Sequence, residues 1–93
     1  MNMDMPVKFF KGEFLDSPII TRLPESLLVI APVERGSGNV RYSLESWDIV
    51  DGVLTLNVRR GTPPILTMDY VSWLVSLEIC LTNYVNHVNV KLV

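Results

Sequence analysis

Met68-Asp69-Tyr70-Val71-Ser72-Trp73-Leu74-Val75-Ser76-Leu77-Glu78-Ile79-Cys80-Leu81-Thr82-Asn83-Tyr84 is the stretch that decides the fold, because it carries two periods at once. Tyr70, Leu74, Leu77, Leu81, Tyr84, Val85 and Val88 recur three and four residues apart, the spacing of an amphipathic helix. Thr67 stands where it would cap that helix, and Asp69 suits its positive end. No Gly or Pro interrupts residues 67–93. Val71, Trp73, Val75, Leu77, Ile79 and Leu81 also alternate with mostly polar neighbours, and β-branched residues are frequent, as in a strand. A strand of that length needs a turn, and Thr82-Asn83 is a weak one. The helical reading is adopted, over residues 68–84. Residues 87–93 alternate again and return to the sheet as a strand.

Upstream, Asp51-Gly52 lies between two β-rich runs, residues 39–50 and 53–60. A type I′ turn needs positive φ at both central positions, so Asp-Gly here predicts a two-residue hairpin. Such a turn pairs Ile49 with Leu54 and Trp47 with Leu56. Continued regularly, it would place Glu45 among apolar groups and turn Leu44 outward. One extra residue near Glu45-Ser46 restores the parity and sets Leu44 near Val58, so a β-bulge is expected there. Residues 26–33 form a short apolar run that suits a buried strand, and Pro32, lacking a donor, places its end at an edge or bulge. Residues 34–39 reverse the chain. Ahead of them, Val7, Phe9, Phe10, Phe14 and Ile19-Ile20 offer short edge strands whose alternation is too broken to place.

Together these elements make an α+β fold of one domain, residues 1–93. A three- to four-stranded antiparallel sheet, a meander around the Asp51-Gly52 hairpin, is covered on one face by a single C-terminal helix. An all-β sandwich or barrel is the alternative, and it follows if residues 68–84 are extended.

Composition narrows the function. The chain has 93 residues, of which 48% are hydrophobic and 19% charged, with a formal net charge of -2. That apolar content excludes a disordered tail, and the charge argues against a polybasic binder of nucleic acid or membranes. A charged fraction below the usual roughly 25% leaves either a very efficient core or an apolar patch for a partner. The single Cys excludes an internal disulfide framework and a multi-cysteine zinc site. The first residues carry no basic and apolar leader pattern, and no apolar run reaches the ~20 residues of a bilayer span. The expectation is a cytoplasmic protein, in the host cytoplasm if viral.

Residues with chemistry are few. His87, the only histidine, has asparagines at 83, 86 and 89 near it and no carboxylate, so a small enzyme built on His87 is a minor alternative. Cys80 lies among apolar residues and reads as buried and structural. Cys80 and His87 are too few to hold a metal, and no catalytic residue or cofactor is expected. The scattered acids, Asp48 and Asp51 among them, read as the polar face and turn of the hairpin. Gly36-Ser37-Gly38 lacks the ending of a phosphate loop and reads as a hairpin loop.

Two surfaces remain. On the expected helix, Trp73, Leu74, Leu77, Leu81, Tyr84, Val85 and Val88 face the sheet, while Val71, Val75 and Ile79 form a second ridge at every fourth residue. That ridge is the candidate partner-binding surface, for a larger protein or a second copy of the chain. The expected function is therefore that of a non-enzymatic protein that occupies a surface of a larger protein or complex, as inhibitor, adaptor or small subunit. Compact, motif-free chains of this size are common among phage and mobile-element inhibitors of host defence, anti-CRISPR proteins included. That is an argument from size class and rests on no resemblance of residues. The alternative is a nucleic-acid module using Arg41, Arg59 and Arg60 with Tyr42 for stacking, against which Glu34, Glu45 and Asp48 in the same region argue.

Overall fold

The computed structural model describes residues 7–80 and 85–93. Residues 1–6, the Thr82-Asn83 turn and the end of the expected helix lie outside the described residues. The described residues form seven strands: β1 (Lys8–Gly12), β2 (Ile19–Arg22), β3 (Ser26–Gly36), β4 (Arg41–Val50), β5 (Val53–Gly61), β6 (Val71–Cys80) and β7 (His87–Leu92). They build a four-stranded sheet in the order β1-β6-β3-β2 and a three-stranded sheet in the order β4-β5-β7. All pairings are antiparallel except β5 with β7.

The α+β expectation is thereby overturned: the described residues hold no helix, and the fold is all-β. The reason lies in residues 71–80. Val71, Val75 and Ile79 are four apart, which fits a helix ridge and equally fits every second inward position of a strand. Trp73 and Leu77 between them separate the two readings. On a helix each would be turned roughly 200° from its neighbours in the ridge, whereas on a strand all five point the same way. All five are apolar, so an extended chain turns them together toward the other sheet, and β6 does this as a central strand between β1 and β3. Leu74 produced much of the helical spacing. It points outward, yet it is buried between its ladder partners Phe10 and Pro32. A Cβ at Gly12 would stand 2.7 Å from Leu74 Cδ1, so the absence of a side chain there gives Leu74 its room.

The two sheets enclose one core. Cross-strand pairs Leu27–Ile79, Val29–Leu77 and Ala31–Val75 supply one wall. Leu54, Leu56 and Val58 of β5, with Val85 and Val88, supply the other. Most outward residues of β4, β5 and β7, such as Asp48, Thr55 and Asn89, are polar, the alternation expected of a sheet with one solvated face, and the Val50–Val53 pair beside the turn is the apolar exception.

The hairpin reading holds in detail. Asp51 and Gly52 take φ of 52° and 79°, the left-handed pair that a type I′ turn requires. Ile49 pairs with Leu54 and Trp47 with Leu56. The register then shifts between Leu44 and Ser46, so Glu45 is the extra residue and Leu44 meets Val58. A second shift between Pro32 and Glu34 places Pro32 at a bulge within β3. Residues 8–12 and 19–22 are the two edge strands of the larger sheet, and residues 87–92 return as a strand, parallel to β5.

Candidate functional site

The turn at residues 37–39, between β3 and β4, organises one end of the molecule. Its polar groups hold the connection from β5 to β6, residues 62–70. The Thr67 amide donates to Ser37 Oγ at 3.0 Å, and Asn39 Nδ2 donates to the Ile65 carbonyl at 2.7 Å. The Gly38 amide donates to Asp69 Oδ1 at 3.1 Å, and the Thr67 hydroxyl donates to the same carboxylate. These two donors, Thr67 first, hold the Asp69 carboxyl below its usual range, with a smaller contribution from the nearby Lys11 charge. Further along, the Arg35 guanidinium lies between the rings of Phe14 and Tyr70, 5.2 and 4.8 Å from their centres. The connection is therefore tied at several points, yet its apolar side chains face solvent. Met68 is fully exposed, Ile65 is 80% exposed and Leu66 49%.

A cavity of ≈ 420 Å³ opens on the other side of the same turn. Phe9, Tyr42 and Trp73 form its aromatic wall, and Lys11, Asn39 and Arg41 lie around it. Tyr42 stacks on Phe9 with centroids 5.7 Å apart and meets Trp73 edge-on at 5.2 Å. The Trp73 indole N–H donates to the Ser37 carbonyl at 3.0 Å, which fixes the ring. The Tyr42 hydroxyl donates to Glu34, whose carboxylate also accepts from Arg60 at 2.9 and 3.1 Å. Burial, reinforced by Glu34 and opposed by Arg60, pushes the Tyr42 hydroxyl well above its usual range.

The ridge read from the sequence is not a surface. Val75 and Ile79 are wholly buried in the core and Val71 is half-buried, because the element is a strand whose inward face contains all three. The hairpin arginines are partly brought together. Arg59 pairs with Glu45 at 2.8 Å and Arg60 with Glu34, and these are the ion pairs among the described residues. Arg41 and Tyr42 line the cavity instead. His87 is exposed at the start of β7, and its amide donates to the Gly52 carbonyl at 3.2 Å. Cys80, expected to be buried, is exposed, since it follows Ile79 on the outward parity of β6. Among the described residues no three of His, Cys, Asp and Glu gather in a way that would hold a metal ion. No helix among them is long and apolar enough to cross a membrane.

Two sets of residues escaped the sequence reading. Pro63-Pro64 marked a loop, but the Ile65-Leu66 pair behind it was the sign that this loop carries apolar residues outward. Phe9, Lys11 and Trp73 had no local sign at all. They meet Tyr42 only because β1 and β3 both pair with β6 and the second sheet lies over them. No protein family, curated protein or solved structure matches the chain.

Proposed function

We propose that this chain is a non-enzymatic binding protein that acts in the cytoplasm by occupying a surface of a larger protein, as an inhibitor, adaptor or small subunit. The element that makes the contact is the connection of residues 62–70, in place of the ridge at Val71, Val75 and Ile79. The observation that supports this reading is the combination of exposure and fixation: Ile65, Leu66 and Met68 face solvent on a segment whose backbone is tied to Ser37, Gly38 and Asn39. Exposed apolar groups on a slack loop would lose much of their binding energy to ordering. On a tied loop that loss is already taken in folding, and burial of each side chain contributes about 1.5–3 kcal/mol. The fitting partner surface is an apolar cleft that admits two or three aliphatic side chains.

The double variant Ile65→Asp with Met68→Asp tests it. Both side chains are exposed, so thermal unfolding should shift little, within about 0.5 kcal/mol of stability. Affinity capture from a lysate of the encoding organism should retain a stoichiometric protein on the unaltered chain and lose it on the variant. A partner retained equally by both would place the contact elsewhere and overturn the assignment to this segment.

A further inference from the structure

Arg35 places a fixed charge beside the contact segment, and that charge specifies what meets it. Its position follows from the register. Arg35 stands opposite Ser72, and Ser72 opposite Gly12, so this outward row across β3, β6 and β1 holds one long side chain next to two small residues. The guanidinium lies 4.8 Å from the ring centre of Tyr70 and 5.2 Å from that of Phe14. Both rings are exposed. Tyr70 ends the 62–70 connection and stands two residues beyond Met68, at most about 7 Å along the backbone, so the cation borders the exposed segment. Attraction to the rings answers part of the charge and leaves the N–H donors of the fork without acceptors. Among the described residues the ion pairs are Arg59–Glu45 and Arg60–Glu34, and no carboxylate, carbonyl or hydroxyl accepts from Arg35. The acids next to the two rings in the chain do not supply one. Asp69 is turned to Thr67 and Gly38, with Lys11 as its neighbouring cation, and Glu13 and Asp16 enter no ion pair.

A protein that closes over Ile65, Leu66 and Met68 takes water from the guanidinium beside them. A desolvated cation with unused donors opposes binding unless the partner brings an acceptor of opposite charge. A single carboxylate fits, because it meets the planar fork with two parallel hydrogen bonds. The two rings already hold the side chain, so little further freedom is lost when it pairs. A polyanion fits less well. It would meet one unpaired cation here, with Glu13, Asp16 and Asp69 close in the chain to the flanking rings. We propose that the partner protein presents an acidic side chain at the rim of its apolar cleft, and that this carboxylate pairs with Arg35 while the cleft receives Ile65, Leu66 and Met68. The proposal rests on the reading of residues 62–70 as the contact segment and names the charge that its partner carries.

The test uses the protein that the unaltered chain captures from lysate, with and without nuclease, and measures its affinity by isothermal titration calorimetry. Arg35→Gln should raise Kd at least about tenfold, and Arg35→Glu at least about a hundredfold, since it sets two carboxylates face to face. Arg35→Lys keeps the charge and loses the fork, and should cost at least about fivefold. Arg22→Glu changes the net charge as much as Arg35→Glu does. Arg22 pairs with Leu27, at the opposite end of β3 from Arg35, so Kd should stay within about twofold. In the partner, changing one acidic residue to Lys should recover at least about tenfold of the binding that Arg35→Glu loses. Arg35 is exposed, so thermal unfolding of its variants should match that of the unaltered chain. If Arg35→Gln binds within about twofold while Ile65→Asp with Met68→Asp abolishes binding, the pairing is overturned and the contact segment stands. Undiminished binding by that double variant overturns the segment and the pairing together, as does a lysate that yields no stoichiometric protein. Capture that nuclease removes identifies a phosphate ligand and overturns the acidic protein partner.

Discussion

Tyr42 shows how much one side chain can gather. Its ring joins Phe9 to Trp73, and its hydroxyl completes the coordination of Glu34 begun by Arg60. Because the folded state favours the protonated phenol, the sign of its pH effect is set. The contribution is fully present below the ordinary tyrosine pKa of about 10 and is lost as pH rises toward the higher folded value. Tyr42→Phe should therefore cost about 1.5–3 kcal/mol near neutrality, the usual worth of a hydrogen bond to a charged group, and progressively less above about pH 10. Denaturant unfolding of the two proteins across the alkaline range measures this. A difference that grows with pH would contradict the assignment. Tyr42 was legible in the sequence only as a stacking residue, because its partners Glu34 and Trp73 come from strands of the other sheet.

At the scale of an element, the β4–β5 hairpin is the part most readable from sequence. Asp51-Gly52 sets the turn, the turn sets the register, and the parity conflict at Glu45 demands one surplus residue. If Glu45 is surplus, its deletion should leave a regular ladder in which Leu44 still meets Val58. The loss should be about 1 kcal/mol or less, since the exposed pair it makes with Arg59 is worth little. Deleting Asp48 should behave oppositely. The ladder would then expel Trp47 from the core face and turn Ser46 inward, at a cost of about 3 kcal/mol or more. Chemical denaturation of the two deletion variants checks the contrast, and equal stability would refute the bulge. Residues 71–80 had a weaker arbiter in Trp73 and Leu77, and Leu74 on the outer face obscured it by lending a helical spacing, its cover coming from Phe10 and Pro32 on other strands.

For the whole molecule, one row of side chains in β6 holds both sheets together. Val75 is wholly buried and faces Ala31 and Phe9 across its own sheet, with the second sheet over it. Val75→Glu would put a carboxylate in that core with no partner, so the protein should fail to fold at neutral pH. Ile79→Val, which removes one buried methylene, should remain folded and lose about 1 kcal/mol. Circular dichroism with thermal unfolding distinguishes these outcomes. A folded Val75→Glu protein would mean that this face is open to solvent. By contrast, the exposed residues of the 62–70 connection leave the core untouched, which is why surface and stability can be varied separately in this chain.

What the sequence determined by itself is local. Turn chemistry at Asp51-Gly52, the missing donor of Pro32 and the alternation along residues 54–58 each act within a few bonds, so each is readable without a partner strand. Tertiary structure decided the rest. Residues 71–80 carry both a helical and a strand period, and the pairing of β1 and β3 on both edges favours the extended form. The same pairing buries the expected binding ridge and brings Phe9 and Lys11, Tyr42, and Trp73 to one cavity from three strands far apart in the chain. Those residues carry no shared local pattern, because strand pairing places side chains by register between distant segments, and register is a property of two strands at once.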